Sequence, residues 1–399
     1  SSTALPGCSQ PWPMERVALV DIPAALLHVR QLSGRRVDVV AHCVGAVMLS
    51  MALLADAARV RSGALQLGPE VWMTREHLGR LAAFNGRAKD QPHPVLNRVV
   101  LSQKGPLLRY TEQNQLRAWL MQRVRRWLLA EDFQFRMPDP PTLRDELLDR
   151  LLASLPYPDA DYDRENPLWP CKTTPWVATR HRMDALYGRD FEAAKLSDAT
   201  LNAIDDLFGP IHLDTVAQTI HFNRFDAVCT QHGRGEYVTR ANLRRAWAGI
   251  PTLGLHGEHN GLVDPFTQVL LQQAFDAAGL SFRSETLRGF GHQDVFIGRE
   301  SERAFACIER FLDGPAPPAV DEAPGGFVVC EPWIGPRLAL RPGGAPAQIA
   351  VMGRPDFGRG SAIWVRRSAA GAPVLRRAVA VQAGRWSFFE PGPADPGDA

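Results

Sequence analysis

The sequence predicts an α/β fold: a mostly parallel sheet flanked by helices, with a helical insertion and a small C-terminal all-β module. Three observations carry that expectation. A β-branched run, Val37-Asp38-Val39-Val40, leads through Ala41-His42-Cys43-Val44-Gly45 into a long apolar segment that ends near Leu54. That order is strand, sharp turn and buried helix. Two further strand-like runs, residues 250–255 and 282–287, each end in a polar, Gly-containing loop. Between residues 105 and 249 strand signals are scarce and amphipathic helix patterns take over.

Taken in order, residues 14–32 read as a helix that Pro23 breaks in phase and Ser33-Gly34 stops. The turn after the first strand accepts only small side chains at Ala41 and Gly45. It leaves the thiol of Cys43 at the carboxyl end of the strand, near the positive end of the helix dipole. A thiolate is favoured there, and a neighbouring imidazole favours it further; a small buried cysteine in ordinary strand–helix packing is the alternative. The helix runs to about residue 60. A polar stretch over 61–94, with an exposed loop at 85–92, separates it from a strand at 98–102. The insertion contains helices at 113–129 and 143–155 and a Pro- and Asp-rich break at 156–170. The strand at 250–255 runs into the loop His256-Gly257-Glu258-His259-Asn260-Gly261-Leu262-Val263-Asp264-Pro265. The strand at 282–287 runs into Gly289-Phe290-Gly291-His292-Gln293-Asp294, and a helix follows over 300–312. Residues 314–319 are a linker by composition. Short alternating runs at 337–341, 348–352, 362–366, 378–382 and 386–389 predict the all-β module.

Nucleophile, acid loop and histidine, in that chain order, is the order of the α/β-hydrolase fold. Cys43 is the candidate nucleophile, His292 the general base, and the Val44 backbone N–H one half of the oxyanion hole. The stretch Leu19-Val20-Asp21-Ile22-Pro23-Ala24-Ala25, Gly34 and Val39-Val40-Ala41-His42-Cys43-Val44-Gly45 resembles the acid-lipase and steryl-ester-hydrolase branch of that fold. The chain is most similar to the hydrolase region that follows a cholesterol-oxidase-like (glucose–methanol–choline) flavin domain in some bacterial fusion proteins. That group similarly carries His-Cys-Val-Gly at the elbow. Leu101-Ser102-Gln103, His181-Arg182-Met183, Tyr187-Gly188, Phe208-Gly209, Gly257-Glu258 with Asn260, and Gly291-His292-Gln293-Asp294 add to the likeness, which spans about residues 2–314.

The resemblance implies ester or thioester hydrolysis, or acyl transfer, on a hydrophobic, acyl or sterol-like substrate. It implies no cofactor in this chain, and a flavin oxidoreductase domain upstream or as a partner. A non-catalytic hydrolase-like module attached to such an oxidoreductase is the alternative. The usual acid of the family, an Asp shortly after Gly-Glu, is Asn260 here, as in the fusion-type relatives. A thiolate–imidazolium pair already holds its charge, so a neutral amide can orient the imidazole. Asp264 is the competing acid, or else a helix N-cap, because Pro265 follows it. His256 and His259 flank this loop without a matching metal-ligand set.

The expected organisation is hydrolase core over 1–104, helical cap over 105–249, core again over 250–313, linker over 314–325 and β-module over 326–399. Aromatics in the cap (Trp119, Trp127, Trp169, Trp176, Tyr187, Phe191, Phe208, Phe222 and Phe225) either line an apolar pocket or form the cap's own core. A net charge of +2 gives no electrostatic case for nucleic acid or an anionic membrane. No apolar run is long enough to span a bilayer. Six scattered cysteines point to free thiols and a cytoplasmic setting. The elbow strand of this fold pairs with strands that precede it, yet residues 1–35 offer none. The reading is therefore of a piece of a longer chain, with Val37, Val39 and Val40 on an apolar sheet edge.

Overall fold

The computed structural model describes residues 13–68, 71–86, 91–117, 132–136, 139–153, 175–209, 211–315, 349–351, 361–367, 375–381 and 387–389. Its first helical segment is continuous through Pro23. Met14–Arg16 is α-helical, Val17–Asp21 widens into a π-turn, and Ile22–Ser33 returns to α-helix. Proline has no N–H to give to the ladder, and the wider turn before it accommodates the missing bond. Gly34 ends the helix at φ 66°, a left-handed cap that costs glycine nothing.

The strands in chain order are β1 (Val37–His42), β2 (Leu96–Ser102), β3 (Asp132–Phe133), β4 (Ile211–His212), β5 (Thr252–Gly257) and β6 (Phe282–Leu287). The main sheet has the order β1-β2-β5-β6, and every pairing in it is parallel. Side chains alternate across it. Val99 and Leu101 enter the larger core with helices Val44–Leu54, Arg240–Trp247 and Phe266–Ala277, while Val100 joins Leu253 and Leu255 on the other face. There Ala304, Ile308 and Phe311 of helix Glu302–Asp313 cover them. Helix Val44–Leu54 carries no polar stripe and is buried almost throughout, as an all-round apolar helix must be. Trp247 meets Phe275 edge-on at 5.4 Å, and Phe275 meets Phe282 at 4.6 Å. Truncating such a residue to Ala costs about 3–5 kcal/mol.

Among the described residues β1 pairs only with β2 and is the sheet edge. Of its three valines, Val40 is 44% exposed, whereas Val37 and Val39 are half-buried. Val39 packs against the larger core. Val40 faces the opposite way.

The insertion contributes helices Leu143–Ala153, Pro175–Tyr187 and Leu213–Phe225, shorter helical turns, and the antiparallel β3–β4 ribbon. Met183, Leu186, Phe191, Leu196 and Ile204 form a core of its own. Phe222 is instead part of the larger core. Trp119, Trp127, Trp169 and the Trp176 side chain lie outside the described residues. In the C-terminal region β7 (Ile349–Val351) pairs antiparallel with β10 (Ser387–Phe389), and β8 (Ser361–Arg367) with β9 (Leu375–Val381). The run expected at 337–341 and the linker from residue 316 lie outside the described residues.

A parallel sheet covered by helices on both faces, a strand–elbow–helix at β1, and loops after β5 and β6 bearing Asn260 and His292 make this an α/β-hydrolase fold. No helix among the described residues is long and apolar enough to cross a membrane.

Candidate active site

Register places the elbow. His42 lies opposite Ser102, and the Cys43 N–H donates to the Ser102 carbonyl at 3.0 Å. The chain then turns so sharply that Cys43 takes φ 52°, ψ −121° before helix Val44–Leu54 begins. A non-glycine residue at positive φ is strained, and such strain concentrates at functional sites.

The histidine loop is tied from several sides. The Gly291 N–H donates to Asp294 Oδ2 at 2.8 Å, and the N–H groups of His292 and Gln293 both donate to the carbonyl of Asp190, at 3.1 and 2.9 Å. Asp190 comes from the insertion, so the insertion and the histidine loop are tied together by backbone hydrogen bonds. Gly257 permits the close approach of β5, because a Cβ there would stand 2.1 Å from the Gly291 carbonyl oxygen.

His292 is fully buried, with Nδ1 3.2 Å from Asn260 Oδ1. Backbone groups decide which end of Asn260 is the oxygen. Its Oδ1 accepts the N–H of Leu262 at 2.9 Å and of Val263 at 3.0 Å, while its Nδ2 donates to Gln103 Oε1 at 2.9 Å. Gln103 is fixed in turn, with Oε1 accepting the Gly257 N–H at 2.9 Å and Nε2 donating to the Gly291 carbonyl at 3.3 Å. The chain of polarities makes Nδ1 the protonated nitrogen of His292 and leaves a lone pair on Nε2. That Nε2 is buried and has no hydrogen-bond partner among the described residues. Burial, then the neighbouring His42, Lys104 and His256, hold His292 well below its ordinary pKa, so the ring is neutral.

The structure brings Asn260 and His292 together and places Asp264 elsewhere. Asp264 Oδ1 accepts the Phe266 N–H at 2.8 Å at the start of helix Phe266–Ala277, the capping role open to it from sequence. Cys43 and His292 share the site without a hydrogen bond between them. Other groups act on the thiol: burial pushes it up, the charge of the Lys104 ammonium pulls it down, and Asp190 pushes it up. His256 is buried with Nε2 3.3 Å from the Val263 carbonyl, and burial lowers it to about 4. His259 is exposed, 3.8 Å from Glu192. Cys43, Cys229 and Cys307 are free thiols.

Four contributors lay beyond the sequence reading. Lys104 is buried two residues past β2, with Nζ 5.7 Å from the Tyr110 ring centre. His42, read only as part of the elbow, bridges Ser102 Oγ (3.0 Å) and Gln293 Oε1 (3.1 Å) and stands 5.1 Å from the His292 ring; burial holds it at about 4. Gln103 orients Asn260. Asp190 is buried, and burial with Asp184 nearby raises its carboxyl to about 7. The available signal was the position of Gln103-Lys104 at the carboxyl end of the strand beside the elbow. A pocket is lined by Val44, Lys104, Tyr110, Tyr187, Ile220, Leu262 and other mostly apolar residues.

No protein-family model matches the chain, and no curated protein matches it. Among solved structures it is similar to a carboxylesterase of Nitrososphaera gargenis (11% identity, 77% of this chain and 74% of that one, TM-score 0.33). It is also similar to a thermophilic esterase of Thermogutta terrifontis (13%, 76% and 72%, TM-score 0.32) and to homoserine O-acetyltransferase of Bacillus anthracis (8%, 77% and 67%, TM-score 0.37).

Proposed function

We propose that this chain hydrolyses ester or thioester bonds of a hydrophobic, acyl or sterol-like substrate, with Cys43 as nucleophile. The observation that carries the reading is a cysteine at positive φ in a strand–helix elbow on the same sheet as a neutral histidine whose Nδ1 meets Asn260 Oδ1. His292 Nε2 takes the thiol proton as sulfur attacks the carbonyl carbon. The Val44 N–H donates to the oxygen that becomes negative, and the imidazolium returns its proton to the leaving group. Water, deprotonated by Nε2, then releases the acid. Asn260 accepts from Nδ1–H throughout and keeps Nε2 aimed at the chemistry. The apolar pocket at Val44 takes the acyl or sterol body.

Acyl esters and acyl thioesters of graded chain length test this on the purified chain. Turnover should vanish in Cys43→Ala, and rapid quenching of the wild type should trap an acyl group on Cys43 by mass spectrometry. Full turnover in Cys43→Ala would end the reading.

A second reading rests on the missing Cys43–His292 hydrogen bond and on the upward push of burial on the thiol. In it the chain is a hydrolase-like module that docks on a flavin-dependent sterol or alcohol oxidoreductase. It forms no acyl-enzyme and changes the stability or turnover of that partner.

A further inference from the structure

Lys104 is one of only four lysines in a chain whose other basic side chains are arginines. It is 4% exposed. Moving an ammonium out of water is expensive unless a counter-charge or hydrogen bonds meet it, and among the described residues no carboxylate stands within ion-pair distance of it. Its place follows from the sheet. Because β1 and β2 run in parallel register and the Cys43 N–H is bonded to the Ser102 carbonyl, the residues just past Ser102 are carried alongside the elbow. The Lys104 side chain thus lines one pocket with Val44, the residue next to Cys43, and the ammonium and the thiol each act on the other by charge.

We propose that the Lys104 ammonium is a catalytic cation that holds the Cys43 sulfur as a thiolate from loss of its proton to attack on the substrate. This rests on the reading of Cys43 as nucleophile. In the step, the S–H bond breaks and its proton goes to His292 Nε2. The electron pair left on sulfur is held by the Nζ–H of Lys104 and the N–H of Val44, and then forms the S–C bond to the carbonyl carbon. Lys104 keeps its proton throughout. A compact ammonium suits this place better than a guanidinium, whose planar fork matches two oxygens and not one sulfur. The other groups around the sulfur do not compete for the role. Asp190 disfavours the thiolate and, with its carboxyl at about 7, is partly protonated at neutral pH; Tyr110 and Tyr187, both pushed up by burial, stay neutral; His42 and His292 are neutral by burial.

The test reads Cys43 directly, without turnover. The pH dependence of iodoacetamide alkylation at Cys43, followed by peptide mass spectrometry, is compared in wild type, Lys104→Met and Lys104→Arg, each checked for folding by thermal melting. Lys104→Met should slow alkylation at neutral pH about tenfold or more and move the midpoint up by about one unit or more, since each unit is a factor of ten. Lys104→Arg should recover part of the loss. Folded Lys104→Met with an unchanged profile overturns the proposal. Should Lys104 variants fail to fold, ¹³Cε-lysine NMR of the wild type gives four signals at most. The buried one should step at the pH where Cys43 ionises and lose that step in Cys43→Ala; no such step overturns the proposal. A shifted alkylation profile without any ester or thioester turnover would leave Lys104 and Cys43 paired and remove the hydrolase reading alone.

Discussion

His292 Nδ1 and Asn260 Oδ1 are 3.2 Å apart, and the same oxygen accepts the backbone N–H groups of Leu262 and Val263. Asn260 is therefore locked before it meets the imidazole. Asn260→Ala should lower kcat about tenfold or more, with little change in KM, because it acts on the base and not on the pocket. Asp264→Asn should leave kcat within about threefold. It removes only charge from a helix cap, a change of the order of 1 kcal/mol or less in stability. The opposite ranking in steady-state kinetics would make Asp264 the partner of His292.

Gln103 supplies a second prediction, one residue further from the chemistry. Its Oε1 accepts from both Gly257 N–H and Asn260 Nδ2, so Gln103→Leu leaves two buried donors unpaired. Each unpaired donor costs about 1–3 kcal/mol. The expected result is a lower melting temperature together with a fall in kcat. Alkylation of Cys43 should change less than kcat does, since Gln103 acts through Asn260 and His292. Equal losses in both would place Gln103 at the thiol.

How much of this was legible in the sequence depends on the range of the interaction. The elbow, the helix after it and the Gly-lined histidine loop are local patterns, set by small residues flanking a tight turn and by apolar periodicity, and they lie where the residues put them. The choice between Asn260 and Asp264 was not local. It turns on which of two polar side chains in one loop faces the histidine loop 32 residues later, and the N–H groups of Leu262 and Val263 set that orientation. Lys104 was hidden for a similar reason, because only the β1–β2 register carries the residues past Ser102 alongside the elbow. Asp190 was hidden inside an insertion whose helical pattern gave no hint that a carbonyl just past helix Pro175–Tyr187 would clamp the histidine loop. The π-turn before Pro23 shows the reverse case: the break was readable, but not that a wider turn would keep the helix whole.

On the proposed mechanism, the pH profile follows from burial of His292. His292 lies well below its ordinary value of 6.5, chiefly through burial, and Nε2 keeps its lone pair below the usual histidine range. The acid limb of kcat/KM should therefore fall below pH 6.5. Stability moves in the same direction: below 6.5 the unfolded chain binds a proton that the folded ring refuses, so this group's contribution is present above 6.5 and lost as pH falls. An acid limb at or above 6.5, absent in a His292 variant with residual activity, would show that the ring is hydrated in solution.

Glu15 gives a prediction independent of catalysis. It is fully buried under the first helical segment, accepting from Tyr237 OH at 2.7 Å and from the Gln231 N–H at 3.1 Å. Burial, opposed by these hydrogen bonds, raises its carboxyl from 4.5 to about 7. Between those values the folded chain keeps a proton that the unfolded chain has released, so stability falls as pH rises through that window and levels off above it. The share carried by Glu15 is about 3 kcal/mol. Asp190 and Asp226, also raised to about 7, slope the same way, which makes a difference measurement necessary. Urea unfolding of wild type and Glu15→Gln at pH 5 and pH 7 supplies it. Glu15→Gln keeps an acceptor for Tyr237 but cannot ionise, so its stability should drop less than that of the wild type between the two pH values, by about 2–3 kcal/mol. Parallel curves for the two proteins would mean that Glu15 ionises in the folded chain as easily as in water, through a path for solvent beneath the helix.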